Sequence, residues 1–135
     1  MSHKLQIRVY YEDTDLAGIV YYANYLKFIE RARTEWVRGL GIDQSRLKSE
    51  TGIVFAVRRI EADYLTPARF DDLLEVETTP ARIGGARIEL EQRVLRGEDT
   101  CFVARVTLAA LSASGAPARL PLDLRERLAS AGAGS

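Results

Sequence analysis

Hydrophobic and polar positions exchange along this chain with two different periods. Leu5, Ile7, Val9 and Tyr11 alternate with Lys4, Gln6, Arg8 and Tyr10. A period of two predicts a strand over 4–12. A turn-rich stretch, EDTDLAGIV, follows and contains Gly18. From Tyr22 the period lengthens. Tyr22, Tyr25, Leu26, Ile29, Ala32, Trp36, Val37 and Leu40 fall on one helical stripe, and Lys27, Glu30, Arg31, Thr34 and Arg38 occupy the other side. This predicts a helix over 22–39, with Gly39 and Gly41 closing it. Residues 43–50 read as a short helical turn.

Beyond Gly52 the pattern is that of strands. Over 53–65, Val54, Ala56, Ile60, Ala62 and Tyr64 form one alternating set before Thr66-Pro67-Ala68 breaks it. Residues 73–83 set Leu74, Val76 and Thr78 against Glu75 and Glu77, and Gly84-Gly85 marks a hairpin or bulge. Over 86–96, Ile88, Leu90, Gln92 and Val94 face one way, with Arg87, Glu89, Glu91 and Arg93 opposite. Residues 101–111 form a further strand. Pro121 opens a short terminal helix through Leu122, Leu124 and Leu128. One strand, one long helix and four more strands do not make an alternating βαβ pattern, so a Rossmann or barrel fold is excluded. The order fits an α+β domain over 1–129, an antiparallel five-stranded sheet wrapped around one long central helix. The small residues of 130–135 are expected to form a flexible tail. One helix cannot cover both faces of such a sheet, and two edge strands remain open. Both facts favour a homo-oligomer joined edge to edge or face to face.

Composition narrows the partners. The 135 residues carry 19 Lys and Arg against 19 Asp and Glu, so no net charge attracts nucleic acid or an anionic membrane. The longest uncharged runs, Leu16–Leu26 and Val106–Ala118, are too short to span a bilayer. The amino-terminal stretch has no apolar signal core. The single cysteine, Cys101, forms no internal disulfide, which fits a reduced, cytoplasmic setting. One Cys and one His make no zinc ligand set. That His3 is read as a surface residue near a mobile end, and Cys101 as a buried small hydrophobe.

Candidate chemistry concentrates in residues 12–25, EDTDLAGIVYYANY. Two carboxylates and a glycine stand directly ahead of the long helix. A helix start offers free backbone N–H groups at the positive end of its dipole, where a carbonyl oxygen is polarised and a developing oxyanion stabilised. A nearby carboxylate can attack that carbonyl or activate a water. The arrangement suits hydrolysis of an activated acyl group. An Asp ahead of a helix is also a common cap or turn former, and spacing alone leaves both readings open.

Residues 9–36, VYYEDTDLAGIVYYANYLKFIERARTEW, resemble the signature of hotdog-fold acyl-CoA thioesterases of the 4-hydroxybenzoyl-CoA thioesterase type. Within that family they look closest to the Tol–Pal-associated, YbgC-type branch. The resemblance rests on D-x-D-x-x-G-x-V-x-x-x-N-Y joined to an F-x-E-x-A-R helix, and extends more loosely through YLTPARFDDLLEVET to about Leu120. It implies a hotdog fold and hydrolysis of an acyl-CoA thioester without a separate cofactor. It implies that Asp15 acts as nucleophile or general base, and that the Tyr22 backbone amide holds the thioester oxygen. Gly18, Ile19, Val20 and Tyr21 would line the approach. It further implies a site shared across a homodimer, which commonly pairs into a homotetramer. Many members of the YbgC-type branch have histidine where this chain has Tyr22. A phenol does not titrate near neutral pH, so histidine assistance is absent while the backbone donor remains. The acyl preference stays open between short aliphatic and aromatic groups.

The remaining polar residues carry structural readings of their own. Asp13 reads as a turn or cap residue, and Glu30 as an ion-paired surface residue near Arg31 and Arg33. CoA phosphates call for cations. The candidates are Arg82 and Arg87 flanking Gly84-Gly85, then Arg58 and Arg59, each also readable as part of a solvated charged face. A second function keeps the fold: binding of acyl-CoA or an acyl carrier protein without turnover. A dehydratase reading ranks third, because such sites usually need a histidine and only His3 is present.

Overall fold

The computed structural model describes residues 2–133. Strand β1 (His3–Arg8) leads through a short 3-10 turn (Tyr11–Asp13) and a loop into α1 (Asn24–Gly39) and α2 (Gln44–Thr51). Four strands follow, β2 (Val54–Tyr64), β3 (Leu73–Ile83), β4 (Arg87–Arg96) and β5 (Asp99–Leu111), and then α3 (Leu122–Ala133). The strands form one sheet in the order β1-β3-β4-β5-β2, every pair antiparallel. The five-stranded α+β architecture is the expected one, with α1 the longest helix and two shorter ones beside it. The terminal helix covers Ser130 to Ala133, four residues read as tail from the sequence; 134–135 lie outside the described residues.

The inner face of the sheet is built from alternating positions that register across strands. Val76 pairs with Val94 and Val94 with Phe102; Thr78 pairs with Gln92 and Gln92 with Ala104. Helix α1 lies on this face and buries Tyr25, Phe28, Ile29, Ala32, Trp36 and Val37. Phe28 joins the buried stripe, whereas Leu26, on α1, and Tyr22, in the turn before it, remain exposed. Leu120, Leu124 and Leu128 bury the carboxy-terminal segment, whereas Leu122 is exposed. Arg127 ties that helix to the end of α1 by donating from Nη1 to the Gly41 carbonyl, 3.3 Å away.

A polar cluster crosses the middle of the core. Gln92 is fully buried; its Nε2 donates to the Ile29 carbonyl and to Thr78 Oγ1, both at 2.9 Å, and its Oε1 accepts from Arg33 Nη1 at 3.0 Å. Burial lowers the Arg33 pKa, with Glu30 opposing in part. His3 is not a loose surface residue: it pairs with Thr78 across β1 and β3, and its Nδ1 is buried.

Strand β2 departs from strict alternation. A register shift between Val57 and Arg59 inserts Arg58 as an extra residue. Before it Phe55 and Val57 face inward, opposite Ala110 and Leu108; after it Ile60, Ala62 and Tyr64 do, opposite Val106, Ala104 and Phe102. Val54 and Ala56 therefore belong to the outer face, against the sequence expectation. The strand lies at the sheet edge and is largely exposed. The outer face carries ion pairs instead of an apolar surface, among them Lys4–Glu75, Arg93–Glu91 and Arg105–Glu91. No helix among the described residues is long and apolar enough to cross a membrane.

Candidate active site

Strand β1 ends early for a local reason. Val9 still exchanges hydrogen bonds with the 71–72 backbone, but Tyr10 N then donates to Asp13 Oδ2 at 2.8 Å and curls the chain into the 3-10 turn. The expected strand over 4–12 therefore stops at Arg8, and Asp13 and Asp15 do not share a strand face. Asp13 is buried, and its carbonyl accepts from Tyr21 N and Asn24 Nδ2, both at 2.9 Å. It fixes the approach to α1, the structural role weighed for it from the sequence.

The Asp15 loop is a tight turn of its own. Asp15 N donates to the Ile19 carbonyl and Gly18 N to the Asp15 carbonyl, both at 2.9 Å. Gly18 has φ of +80°, a left-handed conformation that a β-carbon disfavours. Ala17 N donates to Asp15 Oδ1 at 2.9 Å, which orients the carboxylate and leaves Oδ2 free among the described residues. The loop rests on the segment after β2: Val20 N donates to the Ala68 carbonyl at 2.8 Å, and Ile19 bridges to Arg69. That segment is itself braced. Ala68 N donates to Tyr25 Oη at 3.1 Å, and Arg96 Nη1 reaches the Pro67 carbonyl at 3.0 Å and Asp72 Oδ2 at 3.3 Å.

Helix α1 begins at Asn24, two residues later than its hydrophobic period suggested. Tyr22 therefore sits in the turn before the helix. Asn24 N donates to the Tyr21 carbonyl at 2.8 Å, and Tyr64 Oη donates to the Tyr22 carbonyl at 2.9 Å. The Tyr22 N–H meets no acceptor among the described residues.

These groups converge on a cavity of about 380 Å³. Asp15, Ile19, Val20, Tyr21 and Tyr22 line one side, and Tyr25, Tyr64, Leu65, Thr66, Pro67 and Cys101 line the other. Gly18 shapes the turn but stands outside the wall. The aromatic rings interlock: Tyr64 meets Tyr22 at 6.2 Å, Tyr25 at 5.6 Å and Phe102 at 5.0 Å between centroids, and Tyr25 stacks on Phe102 at 5.0 Å. Burial raises the pKa of Tyr25 and of Tyr64, so both phenols stay protonated. Burial also pushes the Cys101 thiol up, as expected of a small buried hydrophobe without activation.

Six cavity residues were not among the site candidates read from the sequence: Tyr25, Tyr64, Leu65, Thr66, Pro67 and Cys101. The Thr66-Pro67-Ala68 break announced a loop, but no pattern says that it folds over Ile19 and Val20. Arg82 and Arg87 do come together, around a separate cavity of about 300 Å³ with Gly84, Gly85 and Glu89. Arg119, not singled out from the sequence, stacks over Gly85, where a β-carbon would lie 3.2 Å from its Nη1. This cluster is at the opposite end of the sheet. Tyr64 pairs with Phe102 and Arg87 with Ala109, and the run of β5 between those partners spans roughly 23 Å. Arg59 pairs with Glu61 of its own strand. Glu30 is exposed as expected, but its partner is the Thr34 hydroxyl at 3.0 Å instead of an arginine. Tyr10 and Tyr11 are exposed, while Trp36 is core. Among the described residues no group of three His, Cys, Asp or Glu is placed to hold a metal ion.

The chain is similar to several known proteins. The chain is 46% identical over 102 residues to the acyl-CoA thioesterase YbgC of Haemophilus influenzae, covering 76% of this chain and 74% of that protein. It is 44% identical over 94 residues to the acyl-CoA thioester hydrolase YbgC of Escherichia coli O6:H1, covering 70% and 69%. The crystal structure of a probable thioesterase from Bartonella henselae superposes with a TM-score of 0.86 at 40% identity, covering 90% of this chain and all of that one. A family model described as the thioesterase superfamily, 4HBT, matches residues 17–103. That match covers more than half of the chain, and the chain belongs to the 4HBT thioesterase superfamily.

Proposed function

We propose that the protein hydrolyses the thioester of acyl-CoA to free acid and CoA, in the cavity between Asp15 and the aromatic wall. The observation that carries this is a pair of groups opening on one apolar cavity: an oriented carboxylate with one oxygen free, and an unengaged backbone N–H at Tyr22. In the reaction, Asp15 takes a proton from a water that attacks the thioester carbon, or attacks that carbon itself to give an anhydride that water then opens. Charge develops on the carbonyl oxygen, and the Tyr22 N–H stabilises it. The C–S bond then breaks, and CoA leaves as a thiolate that is stable enough to depart without a strong acid. The chemistry calls for no metal or redox cofactor, since CoA enters as part of the substrate.

The cavity walls support short aliphatic or aromatic acyl groups. An acyl carrier protein is the alternative source of the same thioester. A cytoplasmic setting suits the lone reduced cysteine and this substrate. A homodimer, or a pair of dimers, accounts for the remote arginines. Antiparallel two-fold pairing along the open β2 edge reverses one sheet against the other. It thereby brings Arg82 and Arg87 of the partner subunit to the end where Asp15 lies, within reach of CoA phosphates.

The test is thiol release from acetyl-, short-chain, long-chain and aromatic acyl-CoAs by wild type and Asp15→Asn. Turnover that falls by at least a hundredfold in the variant, with CoA binding retained, is the expected result. Near wild-type turnover by Asp15→Asn removes Asp15 as the catalyst. No turnover by wild type on any thioester, carrier-protein forms included, favours an acyl-binding protein.

A further inference from the structure

We infer that Tyr64 is a positioning residue for the Ala23 N–H, the helix-start donor next to the Tyr22 amide, acting through the Tyr22 carbonyl. The inference rests on the proposed role of Asp15 and the Tyr22 amide and adds a residue to it.

A trans peptide group is planar, so fixing a carbonyl fixes the N–H on the opposite side of the same plane. Tyr22 lies between two such planes. The first carries the Tyr21 carbonyl and the Tyr22 N–H, and Asn24 N holds it at 2.8 Å. The second carries the Tyr22 carbonyl and the Ala23 N–H, and the Tyr64 hydroxyl holds it at 2.9 Å. In a regular helix the backbone would serve this second carbonyl. Here Leu26 N donates to the Ala23 carbonyl instead, at 3.2 Å, so the Tyr22 carbonyl depends on a side chain from another element. Neither the Tyr22 nor the Ala23 N–H is spent on an acceptor among the described residues.

Tyr64 is suited to this work. Its ring, about half exposed, packs edge-on against Tyr22, Tyr25 and Phe102. Burial raises its pKa, so the hydroxyl remains a donor through the neutral range. It is the last residue of β2, the edge strand, so the clamp couples that edge to the start of α1.

Tyr64→Phe keeps the ring and removes only the hydroxyl. The expected result is a fall of about tenfold in kcat with KM within about twofold, the signature of a donor misplaced for the transition state and not of a damaged binding surface. The Ala23 amide should also gain mobility in 15N relaxation, while the Tyr22 amide, held through the Tyr21 carbonyl, and the remaining helix amides do not change. Wild type and Asp15→Asn are run alongside. If wild type turns over, Asp15→Asn does not, and Tyr64→Phe matches wild type in kcat, the Tyr64 role fails while the reading of the site stands. A parallel rise in KM that accounts for the whole loss also overturns it. Should wild type itself lack turnover, the amide measurement decides: unchanged Ala23 dynamics in Tyr64→Phe refute the clamp.

Discussion

Replacing Gln92 by Met tests how the central helix is held to the sheet. The side chain keeps its length and loses all its hydrogen bonds. Two neutral bonds disappear, to the Ile29 carbonyl and to Thr78 Oγ1, each contributing about 1 kcal/mol. The third is to Arg33, whose guanidinium has no other hydrogen bond among the described residues, and a bond to a charged group contributes about 1.5–3 kcal/mol. A buried thioether returns about 1 kcal/mol through its apolar surface. The net loss is about 3 kcal/mol, or a fall in Tm of roughly 10 °C for a domain of this size. Trp36 supplies the assay: it is the single tryptophan, 4% exposed on α1, and its fluorescence reports urea unfolding directly. Protein concentration must be held fixed, since association adds to apparent stability. A second variant isolates the charged partner. Arg33→Met combined with Gln92→Met should cost less than the two single changes together, because no guanidinium is then left stranded. A loss below 0.5 kcal/mol for Gln92→Met, or strict additivity in the double variant, would refute this account of the core (both thresholds lie at the accuracy of such measurements, roughly 0.5 kcal/mol).

Two further outcomes follow from the site. Cys101 is buried with a raised pKa, so at pH 8 it holds less thiolate than a free cysteine, and its thiolate fraction grows only at higher pH. A disulfide reagent should therefore label it at least about tenfold more slowly in the native protein than in urea; equal rates would show that the thiol is open to solvent. Gly18→Ala meets no atom within 4 Å but must adopt φ of +80°. It should cost about 1–2 kcal/mol of stability or displace the Asp15 turn with loss of turnover, and wild-type stability together with wild-type turnover would remove the conformational argument.

Much of the fold was legible because single-faced elements advertise their period. The inward set of β4, Ile88, Leu90, Gln92 and Val94, stands as the alternation predicted, and the end of α1 falls at Gly39. The failures have specific causes. The amino-terminal strand stopped early because the Asp13 carboxylate captured Tyr10 N, a side-chain choice that alternation does not encode. The inner face of β2 was misassigned before Arg58 because a bulge leaves no compositional trace. At the site, the local motif from Asp15 to Tyr22 was readable, as contiguous residues carry it. Tyr64 and Pro67 were not, since they arrive through the fold. The remoteness of Arg82 and Arg87 was also invisible, because sequence separation says nothing about which end of a strand a hairpin occupies.

The extra residue at Arg58 bears on how this strand tolerates change over evolutionary time. Phe55 and Val57 face the core only because one residue is looped out between them and Ile60. Removing Arg58 alone would restore even spacing and keep Phe55 and Val57 on the inner face, because Val57 would then stand two positions before Ile60. Point substitutions at Arg58 leave that parity untouched. Descent should therefore admit many side chains at this position and also its loss, whereas losing Arg58 and Arg59 together would set Val57 directly before Ile60 and turn Val54 and Ala56 to the core.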